Sequence, residues 1–535
     1  MAEHFTQSGI PLKPLYKPDD VTGLDYDRDL GDPGQYPFTR GNRLKTGKGA
    51  WIHRELSGEG DPKRSNEQIK RLIAQGQTGM DLIGDAPTMG IMDADHPIAQ
   101  KTAGTQGTSL CRRQDYIDLL GGLPIDTMST SMSLPPSFGV CGLYLAAEQF
   151  GIDSKMLRGS VVNGPFYGEE CSYAIHMPFK LRVRLATDAI EFATKEMPKF
   201  HAFLEDTYYI ADGGLNVIEE MALGFVEVRH LVRELLGRGL DIDEFAPRIA
   251  FLVDCRMDFF EAIAQIRATR RLYARMMKEE FKAKDPRSLA VNIASHTSGL
   301  SMTAQQPINN VVRGTVEAMA LALSGVQAME ISTFDEAYRT PSKEAHEVGL
   351  RTQQIIELET NVSSVNDPFG GSYFIESLTG EVEKRIWDMV TELEAVGDME
   401  KVADGGVFRT IVVNAANRYA QEVGDGTLQK VGVNAFRVPD EEDTLLKEVT
   451  SSKIEPCRAQ IDAIIDFRAT RDAPRVNTSL QNLFGMASEE GPNLMYGICD
   501  ASRAGATVGE MAGVMRQAYG RPYDPYQMVT SPLGL

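Results

Sequence analysis

The chain has 535 residues, 42% apolar and 24% charged, with 49 glycines and 26 prolines, a make-up that excludes a disordered or fibrous protein. Its 55 lysines and arginines against 75 aspartates and glutamates leave a net charge of −20, which excludes a surface built around a long-range basic field for nucleic acid. The six cysteines, Cys111, Cys141, Cys171, Cys255, Cys457 and Cys499, form no C-x-x-C pair, so neither a disulfide framework nor a zinc site is indicated and a reducing cytosol fits. The opening MAEHFTQSGIPLKPLYKPDD lacks the apolar run of a signal peptide, and no stretch approaches the roughly 18 uninterrupted apolar residues of a membrane span. A cytoplasmic protein without membrane or nucleic-acid partners is expected.

Residues 1–65 are rich in Pro, Gly and charge and read as an extended arm. Within it, RGNRLKTGKGAWIHR carries Arg40, Arg43, Lys45, Lys48 and Arg54 with no acid; the run is either a solvated loop or a clamp for a ligand phosphate. Over residues 66–390, amphipathic helical patterns alternate with short strand-like runs: SNEQIKRLIAQG precedes MDLIGD, and YIDLLGGLP precedes TMSTSMS. Strand alternating with helix over this length predicts βα units on a parallel sheet, most simply a (β/α)8 TIM barrel in an α/β fold. Neither GEGDPK nor GGLPID has the glycine spacing of a nucleotide-binding loop. Residues 391–535 read as a mainly helical C-terminal region.

One strand is chemically odd. A period of two puts Met128, Thr130, Met132 and Leu134 on one face and Ser129, Ser131 and Ser133 on the other. Barrel interiors are normally filled by Val, Ile and Leu. A hydroxyl face is either the wet side of an edge strand or the wall of an open channel that hydrogen-bonds a threaded polar ligand, and Ser295 to Gly299 (SHTSG) repeats the theme.

The segments AVNIASHTSGLSMTAQQPINNVVRGTVEAMALALSGVQAMEISTFDE (Ala290 to Glu336) and LRTQQIIELETNVSSVNDPFGGSYFIESLT (Leu350 to Thr379) resemble the large chain of the adenosylcobalamin-dependent acyl-CoA mutases, the methylmalonyl-CoA mutase family. YPFTRG near the start, the block EFAPR and SRAGATVGEM near the end extend the resemblance to nearly the whole chain. It implies a barrel pierced by the pantetheine arm of coenzyme A and radical carbon-skeleton rearrangement of an acyl-CoA substrate, with adenosylcobalamin seated at one mouth. In the family a Rossmann-like domain with a D-x-H-x-x-G loop carries the cobalamin. None of the eight histidines here, at 4, 53, 96, 176, 201, 230, 296 and 346, has Asp two residues before it. The expectation is therefore the large subunit of a split mutase, with adenosylcobalamin bound mainly by a separate small D-x-H-x-x-G subunit in a heterotetramer; a catalytically silent paralogue that docks a cobalamin protein is the alternative.

Carried across residue by residue, the resemblance assigns substrate binding to Arg54, Ser131, Ser133 and Arg248, and binding of the adenosyl group to Gln327, Ser332 and Glu336. No metal ligand is expected from this chain. Departures cluster at the acyl pocket. Leu56 stands where methylmalonyl members have Tyr, and Tyr208-Tyr209 where they have Tyr-His, so Tyr209 is expected to donate to the thioester carbonyl beside Tyr208. The Arg that clamps the free carboxylate of methylmalonyl-CoA falls at Ser172; His296 takes a Gln position and Ala294 a His position. A buried carboxylate without a partner is costly. These changes point to an acyl-CoA other than methylmalonyl-CoA, branched or aryl-substituted.

Overall fold

The computed structural model describes residues 4–167, 176–451 and 454–534. Ile52–Arg54 (β1) and Leu56–Ser57 (β2) lead into Pro62–Ala74 (α1), Gly79–Ile83 (β3), Arg113–Leu120 (α2), Ser129–Ser133 (β4), Pro136–Phe150 (α3), Gly159–Val162 (β5) and Phe179–Glu196 (α4). Phe200–Asp206 (β6), Val217–Gly237 (α5), Ile249–Cys255 (β7), Phe259–Glu279 (α6), Asn292–Thr297 (β8), Asn309–Ser324 (α7), Ala328–Glu330 (β9) and Lys343–Glu359 (α8) complete the alternation. Parallel neighbours need a crossover, and a helix supplies it each time.

The nine strands form one sheet in the order β1-β9-β8-β7-β6-β5-β4-β3-β2. Its end strands, β1 and β2, are separated in the chain by Glu55 alone, so the sheet is a nearly closed barrel, as the alternation predicts. The boundary read at 65/66 falls after β1 and β2; the stretch read as an arm supplies two barrel strands. Helix starts are encoded locally: Asp61 accepts from the Lys63 and Arg64 amides at α1, and Asn216 and Glu219 cap each other's amides at α5. At the start of β5, Gly159 has φ +136°, and a Cβ there would lie 1.9 Å from the Thr130 carbonyl oxygen, which only glycine tolerates.

The chain divides into two compact units, residues 1–55 with 205–452 and residues 56–204 with 453–535. In the second unit, Met80, Leu82, Met132, Val161 and Phe200 join a buried apolar core with Tyr116, Leu119, Val140, Leu143, Leu181 and Leu185 of the surrounding helices. Strand alternation then turns Gly79, Asp81 and Ile83, Ser129, Ser131 and Ser133, and Ser160 to the opposite, inward face. Leu56 pairs with Asp81 and shares that face.

In the first unit, Phe251 packs on Phe225 of α5 and Tyr273 of α6, with centroids 5.4 and 6.4 Å away, so the odd positions of β7 face the helices. The even positions face inward: Ala250, Leu252 and Asp254 on β7, Asn292, Ala294 and His296 on β8, Ala328 and Glu330 on β9, and Ile52 and Arg54 on β1. Ser295, read as part of a second hydroxyl wall, instead faces the helices, where its hydroxyl donates to Val253 O at 2.9 Å. Mid-strand Ala294 is only half-buried, although Ile293 and Ser295 on either side of it are 0% exposed. The inward face of β8 is therefore open rather than packed.

Candidate active site

The strand registers of the first unit set a row of charge at the C-terminal ends of its strands. Asp254 pairs with His296, His296 with Glu330, and Glu330 with Arg54. Parallel neighbours in register project to the same side, so the row faces inward. His296 Nε2 lies 2.8 Å from Glu330 Oε2, with both side chains buried. The Tyr208 ring stands edge-on to His296, 4.7 Å between centroids.

From Tyr208 a hydrogen-bond chain runs outward. Tyr208 donates to Asp212, whose Oδ1 also accepts from Ser298 Oγ and the Leu300 amide, each at 3.1 Å. Ser298 Oγ also lies 3.1 Å from Asp254 Oδ2, which accepts from Arg256 Nε at 2.8 Å. Behind Asp254, its own amide and the Thr207 hydroxyl both donate to Glu220 Oε1, at 3.0 and 2.8 Å. Burial is the first cause that raises the carboxyl pKa values of Asp212, Glu220 and Asp254; repulsion from Asp254 adds to it at Glu220, and from Asp212 at Asp254. Arg256, drawn to Asp254, offsets part of that charge.

The turn after β9 brings in two further expected residues. The Ser332 hydroxyl donates to Thr297 O at 2.6 Å, and Glu336 Oε2 accepts from the Thr333 amide at 2.7 Å. Burial, reinforced by Glu330, pushes the Glu336 carboxyl above its usual range. Glu55, between β1 and β2, is raised well above the usual range in the same way, with Glu330 as its main acidic neighbour.

Other expected residues sit elsewhere. Gln327 precedes β9 while Ser332 follows it, which puts them about 16 Å apart along the strand. The Gln327 amide is engaged at the N-terminal strand ends: its oxygen accepts from the Ile293 amide at 2.7 Å and its nitrogen donates to Asn42 at 2.9 Å. Arg248 also lies at that end, before β7, and burial lowers its pKa. There too a narrow cleft is lined by Arg40, Arg43, Lys45 and Trp51; Arg40 is paired with Asp367 at 3.1 Å. Arg54, grouped with that basic run in the sequence, lies instead at the C-terminal end of β1 beside Glu330. Tyr209 follows Tyr208 with its ring edge-on at 6.4 Å and its amide on Asp206 at 3.3 Å.

In the second unit, Ser131 Oγ lies 3.1 Å from Ser160 Oγ, and Ser133 ends the same inward face. Ser172 lies outside the described residues. Reading from the sequence missed Glu330, Asp254, Asp212 and Arg256; for Asp254 and Glu330 a charged residue on the inward parity of an otherwise apolar strand was the available signal, and Asp212 and Arg256, outside the strands, offered none.

A relative from Rhizobium meliloti, "Methylmalonyl-CoA mutase", is 33% identical over 518 residues, 96% of this chain and 72% of the relative. The "2-hydroxyisobutanoyl-CoA mutase large subunit" of Aquincola tertiaricarbonis is 33% identical over 525 residues, 97% of this chain and 92% of the relative. The Escherichia coli methylmalonyl-CoA mutase is 32% identical over 531 residues, covering 98% and 73%. The sequence pattern of the methylmalonyl-CoA mutase family matches residues 5–521. This chain belongs to that family. Its members are adenosylcobalamin-dependent acyl-CoA mutases, isomerases of the intramolecular-transferase class.

The family cofactor can be tested against the residues at the C-terminal strand ends. A ribose offers two hydroxyls, each donor and acceptor. Glu336, buried and carrying a proton more readily than a surface carboxyl, can donate one O–H and still accept, which fits a diol. Among the described residues no helix is long and apolar enough to cross a membrane.

Proposed function

We propose that this chain is the large, acyl-CoA-binding subunit of a split mutase that rearranges the carbon skeleton of an acyl-CoA other than methylmalonyl-CoA. The observation that carries the reading is the make-up of the inward face: Ala294 stays half-buried at mid-strand, and Gly79, Ser129, Ser131, Ser133 and Ser160 put small or hydroxyl groups where barrels place aliphatic ones. Such a wall suits the amides of a pantetheine arm, with Arg43 and Lys45 of the N-terminal cleft available to its phosphates.

The acyl group would then meet the charged row. Asp254, His296, Glu330 and Arg54 make up that row, with Glu336 close by, so it holds both signs of charge. Leu56 and Ala294, smaller than the family residues they replace, leave room for a branched or aryl-substituted chain. The Tyr209 hydroxyl is the proposed donor to the thioester carbonyl, with Tyr208 held by Asp212 beside it. Ser332 and Glu336 would hold the adenosyl group; Gln327, tied to Asn42 at the opposite strand end, would not. Adenosylcobalamin supplies the radical chemistry when bound.

The split architecture is supported by a relative, 33% identical over 525 residues, that is itself named as a large subunit. A small chain with the D-x-H-x-x-G loop is the proposed partner, in a heterotetramer. Mixing the two chains with adenosylcobalamin and a panel of acyl-CoAs tests the reading. A cob(II)alamin-coupled radical in the electron paramagnetic resonance spectrum is expected with branched or aryl substrates, and equal turnover of methylmalonyl-CoA would refute the substrate assignment.

A further inference from the structure

The first unit holds another cavity, of ≈ 430 Å³, which shares no residue with the row of Arg54, Asp254, His296 and Glu330. That volume lies within the usual range for small-molecule sites. Met257, Leu300, Val312, Leu428 and Val431 give it an apolar wall, and four cations also line it. Two of these are already neutralised: Arg418 pairs with Glu219 at 2.7 Å and Arg256 with Asp254 at 2.8 Å.

Arg313 and Lys430 are not. Arg313, 9% exposed, donates only to neutral acceptors: Thr303 Oγ1 at 2.9 Å, Asn310 Oδ1 at 2.7 Å and Val431 O at 2.7 Å. Lys430 Nζ donates to Leu300 O at 2.6 Å and to the Tyr419 hydroxyl at 2.7 Å. An ammonium has three protons, so one remains for a ligand. Glu317 is the carboxyl group whose field reaches both cations, and burial holds it well above its usual pKa, which favours its neutral form.

Two neighbouring cations beside an apolar hollow, with no ion pair of their own among the described residues although Glu422 also lines the cavity, oppose folding. Burial and then the Arg313 charge push Lys430 down to about 8. A bound anion would remove that cost. Phosphate, strongly hydrated, would gain nothing from the apolar wall, whereas a carboxylate with a hydrocarbon tail would use both ends.

We propose that this cavity binds a small organic carboxylate with an apolar body, its head between Lys430 Nζ and the Arg313 guanidinium and its tail against Met257, Leu300, Val312, Leu428 and Val431. The assignment is independent of the acyl-CoA reading. Octanoate is the probe, titrated by calorimetry into the full chain without cofactor. Saturable binding is expected, with octylamine and octanol at least about tenfold weaker, and Lys430→Met is expected to weaken octanoate by about tenfold or more, the worth of a charge-assisted hydrogen bond. Lys430 is faced by Arg313 and Glu317 of α7, by Arg256 after β7, by Asp212 after β6 and by the Tyr419 hydroxyl, with Arg418 and Glu422 also lining the cavity. Raising the pH from 7 to 10 removes its proton, so octanoate affinity falls over that range. Lys430→Arg, which stays charged, is expected to retain binding and lose the pH dependence; urea midpoints of both variants report that the fold is intact. No saturable octanoate binding, equal binding of octylamine, or a Lys430→Met variant that binds like the parent would overturn the proposal.

Discussion

Filling the inward face of β4 separates an open barrel wall from a packed one. Ser131 Oγ shares one neutral hydrogen bond, at 3.1 Å, with Ser160 Oγ. Its loss in Ser131→Ala is worth about 0.5–1.5 kcal/mol. At roughly 2–4 °C per kcal/mol for a unit of this size, the melting temperature should fall by no more than about 6 °C. Ser131→Leu replaces the hydroxyl with an isobutyl group. Were the face packed, overpacking would add about 1–3 kcal/mol of destabilisation. With the face open, the larger side chain projects into space a pantetheine arm would occupy. The stability of the two variants should then agree within about 1 kcal/mol, while acyl-CoA binding by calorimetry weakens by at least about tenfold for Leu and by less than about threefold for Ala. A leucine variant that loses stability and keeps its acyl-CoA affinity would refute the reasoning.

Further outcomes follow from other groups. Arg267, 1% exposed, is paired with Glu376 at 2.6 Å and with Asp367, so Arg267→Met leaves the buried Glu376 without its cation and Asp367 with Arg40 alone, and should cost about 3–5 kcal/mol in urea unfolding. Tyr209→Phe should lower turnover by about tenfold or more with acyl-CoA affinity kept, because a donor to a developing charge acts mainly in the transition state. Burial raises Asp85 and Asp115 to about 6 and Glu261 to about 7, above their unfolded values, so stability should rise as pH falls from 8 towards 5, where the folded state binds the extra protons. Asp29 runs the other way: despite burial, hydrogen bonds from Arg28 and the Asp25 amide lower it to about 2, so its contribution is present above pH 4 and lost as pH falls towards 2. Urea midpoints at pH 8, 5 and 3 should therefore pass through a maximum near 5.

The alternation of helix and strand and the parity of β4 were legible in the chain because they depend on residues a few positions apart. Thr130 and Met132 against Ser129, Ser131 and Ser133 is a pattern of period two that a strand turns directly into two faces. The same reasoning failed at Ser295. Small and polar residues lie on both parities of β8, so only its register with β7 and the packing of Phe251 show which side faces the helices. Gln327 and Ser332 are near in sequence, yet an extended strand carries them to opposite ends of the sheet.

What the sequence by itself determined is the kind of protein: a barrel of βα units, from periodicity, and its family, from long matched segments. Only the tertiary structure decided which side chains meet. The contact of His296 with Glu330, the row that adds Asp254 and Arg54, and the uncompensated pair of Arg313 and Lys430 each join residues from separate strands, helices or loops. Such charges reveal themselves only when folding removes the water between them, and burial then shifts their protonation and calls for a partner.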